Sequence, residues 1–316
     1  MPGAEVDTLP AVRGSFRRML CSVHNFRSSA CVGIATAITF CVLPEIAAQN
    51  HLSDSELNQQ DATTLLVREV IYNEIEEQLH DTSSWCYREH RQADGKPSQT
   101  LEVCQTKDGD LERVLAVNGR ELNLEQTRAE DQHIQQAITH PEQLRAKQKK
   151  DREDGDQQRK MLRAFPEAFL FQCESESGNL VTLRFRPNPA FRPSNRVATV
   201  FHHLEGTLVV DGKQKRLVEI NGRLTSEVRF AGGLLGHLDK DGTFLVKQRD
   251  FGEGHWDLSY LSMRMSGKAL FFKTITVLEE KTLFDYQPLP RGASLQQAAD
   301  FLAGDFDVHP AASSGK

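Results

Sequence analysis

Histidines and carboxylates in the last third of the chain are the residues best suited by type to do chemistry. His202 and His203 are adjacent, and on a strand adjacent side chains leave opposite faces, a poor start for a shared metal. His237 and His255 stand in separate runs that would approach each other only if those runs pair, and no third ligand accompanies them. Asp239, Asp241 and Glu253 fall in turn signals, where carboxylates serve the backbone. No HExxH, GxSxG, P-loop or CxxC pattern occurs. AGGLLG at 231–236 lacks the first glycine of a dinucleotide loop and reads as a bulge or tight bend. No nucleophile with a base beside it emerges. The expectation is a non-enzymatic protein with no catalytic residues, no cofactor and no metal.

Charge argues against one class of partner. The 316 residues carry 38 Lys and Arg against 44 Asp and Glu, so there is no basic field to attract nucleic acid. Trp256, Leu258 and Tyr260 alternate along one run and read as core or cavity wall rather than a base-stacking platform.

The N-terminus carries Arg13, Arg17, Arg18 and Arg27, then the uncharged run ACVGIATAITFCVL and the small residues Ala47 and Ala48. A basic region, a short apolar core and small residues at its end predict a secretory signal peptide over 1–48, cleaved after Ala48. The run is short for a membrane span, so the mature protein is expected to be exported, periplasmic and not membrane-spanning. Met19 offers a second start, from which the leader has ordinary length.

Export would leave Cys86, Cys104 and Cys173, too few for a disulfide scaffold. Gly95 lies midway between Cys86 and Cys104, so a hairpin turning at Asp94-Gly95-Lys96 sets the two cysteines opposite each other. The same register pairs Arg88 with Glu102 and Tyr87 with Val103. A disulfide and two half-buried thiols both remain open.

These residues need elements to position them. Ser53 and Asp54 predict an N-cap for a helix to about His80, with Val67, Ile71, Ile75 and Leu79 as its apolar stripe. Asp94-Gly95, Asp108-Gly109 and Asn118-Gly119 then punctuate a meander. A polar, charge-alternating segment at 123–164, broken at Pro141 and weakened at Gly155, predicts one or two inserted helices. Strands resume near Ala168, and FRPNPAFRPSNR must be a loop. Arg184, Arg186, Arg192 and Arg196 decorate it, as a rigid connection or as a lip for an acidic partner. Asp211-Gly212, Asn221-Gly222, Asp241-Gly242 and the glycines at 252 and 254 separate further short runs, as in an antiparallel meander. KALFFKTITVL carries apolar residues on both faces, as a strand covered on both sides or lining a cavity would. The expected architecture is α+β, with one domain over 49–302 and a flexible tail over 303–316.

The succession GTLVVD, KRLVEINGRL, VRFAGGLLGHLDKDGTF, HWDL and GKALFFKTI resembles the outer-membrane lipoprotein-sorting, LolA-like superfamily, which includes RseB-type periplasmic proteins. The likeness covers roughly Leu52 to Leu302 and is clearest from Gly206 to Ile275. It implies a curved antiparallel sheet forming an incomplete β-barrel, capped by helices, whose apolar concave surface holds a lipid or lipoprotein acyl chain. Burying such a chain gains about 0.8 kcal/mol per methylene, so a carrier needs an apolar cavity and little else. Cavity-wall candidates are Val67, Ile71, Ile75, Tyr87, Phe230, Trp256, Leu258 and Phe272. The alternative is an envelope-stress regulatory module that binds a protein partner through the arginine loop.

Overall fold

A computed structural model describes residues 54–195, 197–230, 236–252, 254–269 and 273–304. The predicted leader, the Ser53 cap, Arg196, most of AGGLLG, Glu253, Phe272 and the tail from residue 305 lie outside the described residues.

The chain enters the sheet at its centre. Helix α1 (Asp54–His80) leads into β1 (Ser84–Ala93), β2 (Gln99–Cys104), β3 (Leu111–Val117) and the short β4 (Arg120–Glu121). Helices α2 (Leu124–Thr139) and α3 (Glu142–Ala168) carry the chain to the opposite edge. It returns through β5 (Phe169–Ser177), β6 (Leu180–Pro187), a 3-10 helix (Val197–His203), β7 (Leu204–Asp211) and β8 (Arg216–Leu224). The short β9 (Val228–Phe230) and β10 (Gly236–Leu238) precede β11 (Thr243–Asp250), β12 (Trp256–Ala269) and β13 (Lys273–Leu289), and α4 (Leu295–Ala303) ends the described chain. The ladder runs β4-β3-β2-β1-β13-β12-β11-β8-β7-β6-β5, every pair antiparallel, with β9 and β10 added at the end of β12. It does not close, and with its helices it forms the expected α+β, incomplete curved barrel.

Turn chemistry explains most of this register. Asn118 and Gly119 both take positive φ, as a tight two-residue hairpin requires. The β1–β2 hairpin turns at Asp94-Gly95 and pairs Cys86 with Cys104, Tyr87 with Val103 and Arg88 with Glu102, as expected. Arg88 Nε lies 3.3 Å from Glu102 Oε1.

Two expectations fail for physical reasons. Asn221-Gly222 is no turn: it lies inside β8, where Gly222 pairs with Gly206 of β7. A glycine within a strand marks a close approach as readily as a bend. KALFFKTITVL is not one strand either, because Ala269 ends β12 and pairs with Lys273, which begins β13. Leu270, Phe271 and Phe272 lie outside the described residues, and the two-faced pattern of this run is not that of one strand.

The helices follow local rules. Asn123 and Gln126 form a capping box at α2, Pro141 separates α2 from α3, and Gly155 stays helical within α3. Helix α4 was missed, although Ser294 and Gln297 form a second capping box that is legible in the sequence. On α1, Val67, Ile71 and Ile75 are buried but Leu79 is 47% exposed. A strict four-residue spacing drifts about 40° per step on a 3.6-residue helix, so the stripe rotates off the core and Val70 and Glu74 take its place.

The inner face of the sheet is covered by helices, and the other face is covered at β1 to β3. Helix α1, the C-terminal half of α3 and the 3-10 helix pack on the inner face over Tyr87, Val103, Phe169, Phe185, Leu208 and Val246. Helices α2 and α4 cover Cys86, Cys104 and Leu111 on the other face. Cys86 and Cys104 are joined in a disulfide there, and Cys173 is a free thiol.

Candidate functional site

Two clefts lie between α3 and the inner face, towards opposite ends of the same strands. On β8, Arg216 lines one and Ile220 and Leu224 the other; on β11, Gln248 and Phe244 divide likewise. Helix α3 contributes to both, with residues 144–154 at the first and 158–165 at the second.

The second cleft is apolar and small, about 90 Å³. Its walls include Phe165, Phe201, Phe230, Phe244 and the methionines 161 and 265. The space around it is filled by the protein's own rings: Phe165 stands 4.8 Å from Phe169 and 5.5 Å from Phe185, and Phe169 stands 5.2 Å from Phe201. One polar side chain joins this wall. Gln158 is 2% exposed, and neither its Nε2 nor its Oε1 has a hydrogen-bond partner.

The first cleft is larger, about 520 Å³, and polar. At its floor Glu74 of α1 meets β8 and β11: its Oε1 accepts from Leu217 N at 3.2 Å and lies 3.3 Å from Arg216 Nε. Gln248 Nε2 donates to Glu74 Oε2 at 3.2 Å. Arg216 also pairs with Glu77 and lies over the Trp256 ring. Burial raises the Glu74 carboxyl above its usual range, against the opposing pull of Arg216 and its hydrogen bonds. Burial raises Glu77 likewise. His255 stacks on Trp85 at 4.0 Å, and burial lowers its pKa while Asp257 opposes the shift.

The wall residues expected from the sequence do not come together. Val67, Ile71, Ile75 and Leu258 are packed in the core, none more than 6% exposed. Tyr87 stacks on Tyr286 at 4.9 Å and borders the polar cleft with Trp256. Of the described members of the set, Phe230 alone lines the apolar cleft. The expected arginine loop begins later than its sequence suggests, because the backbone at Arg184 and Arg186 still pairs with β5 and both residues lie on β6. There Arg184 pairs with Glu174 and Arg186 is exposed, and Arg192 in the loop proper donates to Pro189 O and Phe191 O.

Sequence reasoning left two constellations unseen. His203, at the end of the 3-10 helix rather than on a strand, places Nδ1 2.7 Å from Ser226 Oγ. The pair is on the surface, and no carboxylate among the described residues is hydrogen-bonded to His203 to orient it as a base. His237 approaches Asp239 and Glu227 rather than His255, and the three ligand atoms lie within 4.8 Å of one another. Both carboxylates have other partners, Arg229 for Glu227 and Ser266 for Asp239, as surface ion pairs commonly do.

Among the described residues no helix is long and apolar enough to cross a membrane. No protein-family model, no curated protein and no solved structure matches this chain, so its fold stands on its own coordinates.

Proposed function

We infer that the protein is an exported, periplasmic, non-enzymatic carrier or sensor that binds a lipid or lipoprotein acyl chain under α3. The observation that carries this reading is the apolar cleft, whose only polar lining residue among the described residues is the unpartnered Gln158. Leaving a buried amide unpaired costs about 1–3 kcal/mol. A ligand whose apolar end fills the cleft and whose ester or amide reaches Gln158 removes that cost.

The cleft holds about 90 Å³, against roughly 300–1,000 Å³ for ordinary ligand sites. A full chain therefore requires α3 and the 3-10 helix to shift from the sheet. Met161 and Met265, flexible side chains on opposite sides, suit a wall that repacks around its guest.

The test is uptake of a fluorescent fatty acid by protein purified without detergent, with native mass spectrometry for co-purified lipid. Saturable uptake weakened by Phe230→Arg supports the reading. Absence of uptake at every chain length overturns it. A partner-binding role for the arginine loop has less support, since Arg184 and Arg192 are engaged locally.

A further inference from the structure

The polar cleft has the size of a ligand site and an unfinished set of hydrogen bonds. Gln248 is 7% exposed and His255 9%. Gln248 Oε1 and His255 Nε2 have no hydrogen-bond partner, nor does Oε1 of Gln78 in the same lining. The Gln248 amide cannot turn to answer this, because its Nε2 is held by Glu74. His255 Nε2 faces Asp257 Oδ2 at 3.7 Å. The two unanswered amide oxygens are acceptors. The one orphaned donor of the lining, Arg216 Nε, still lies 3.3 Å from Glu74 Oε1.

Charge points the same way. Seven carboxylates line the cleft against four basic side chains. Two of those bases are committed, Arg216 to Glu74 and Glu77 and Lys147 to Glu112.

We propose that this cleft binds an organic cation, a ligand presenting an ammonium or guanidinium group to Gln248 and Gln78. A donor-only head group suits the two amide acceptors, and the carboxylate excess rejects anions. The site is independent of the acyl cleft, and failure of either leaves the other standing.

The chain's two tryptophans report on this site directly: Trp256 lines the cleft and Trp85 stacks on His255. Tryptophan emission of the unmodified protein is titrated with spermidine, agmatine and arginine, and with malonate and phosphate as anionic controls. The expected result is a saturable change with at least one cation and none with the anions. Gln248→Met, checked for folding by circular dichroism, is expected to bind that cation roughly tenfold more weakly. Silence with all three cations at millimolar concentration overturns the proposal. So does a response to the anions, or a cation-induced thermal shift with unchanged emission, which places the cation elsewhere. Unweakened binding by folded Gln248→Met also overturns it.

Discussion

Gly206 of β7 faces Gly222 of β8 across the ladder, and neither position has room for a methyl group. A Cβ on Gly206 would collide with Asn221 O and stand 2.8 Å from Phe185 Cζ; one on Gly222 would meet the Phe244 ring, 2.6 Å from its Cζ. The two rings sit where side chains would otherwise be, and so the pair lets the aromatic layer settle against the sheet. Gly206→Ala is expected to destabilise the fold by about 1–3 kcal/mol, as overpacking does. Gly212→Ala, whose nearest neighbour would be the Val181 methyl at 3.3 Å, should cost clearly less. Urea unfolding midpoints of the two variants check the order.

Gln158→Leu should separate stability from binding. Removing a buried, unpartnered amide is expected to stabilise the protein by about 1–3 kcal/mol. The same change should weaken acyl uptake if the amide reads the ligand. Thermal unfolding and fatty-acid titration of one preparation measure both.

The Cys86–Cys104 bridge spans 18 residues of sequence. Chain entropy gives such a loop about 3 kcal/mol of stabilisation. Cys86 and Cys104 also seat α2 and α4 on that face through the second apolar cluster. Replacing both with alanine should lower stability by a similar amount, with α4 exchanging its amides faster. Guanidinium unfolding and hydrogen exchange test it.

Glu74 has a folded pKa raised above the ordinary 4.5, chiefly by burial. A carboxyl raised on folding contributes stability that is fully present below the unfolded pKa and is lost as pH rises through the folded one. Its contribution should therefore decline with pH from about 4.5 upwards, and Glu74→Gln should flatten that part of the stability profile. His255 acts oppositely. Its folded pKa is lowered from 6.5, so its contribution is present above 6.5 and is lost as pH falls through the folded value. His255→Phe should remove that acid-side loss. Chemical denaturation from pH 4 to pH 8 distinguishes the two; a Glu74→Gln profile parallel to the parent's refutes the assignment.

Lys281 is 2% exposed, with Nζ 3.1 Å from Glu279 and 3.7 Å from Glu89, itself 2% exposed. Lys281→Met leaves the buried Glu89 without this counter-charge and is expected to cost about 3–5 kcal/mol. The double change with Glu89→Leu should recover part of it, as a double-mutant cycle in urea would show.

Local chemistry was the legible part of this sequence. The Cys86–Cys104 register follows from one turn glycine, the α2–α3 break from one proline, and the antiparallel class from spaced turn pairs. Gly222 misled because a dipeptide that makes a turn also permits close strand approach, and only Phe244, far along the chain, decides between them. The polar cleft was invisible for the same reason. Glu74, Arg216 and the Gln248–His255 hairpin come from three separated segments, and no spacing announces their meeting. A wall list chosen by apolar bulk found residues that fill the interior rather than residues that leave room in it.

The pairing of β1 with β13 has a kinetic consequence. Cys86 waits for Gln287 and Ser84 for Leu289, partners some 200 residues downstream, so the centre of the ladder is the last part to become available. High contact order of this kind makes folding slow and delays completion of the sheet until β13 has emerged. A chain truncated before residue 273 would keep β1 as a bare edge and should aggregate rather than fold.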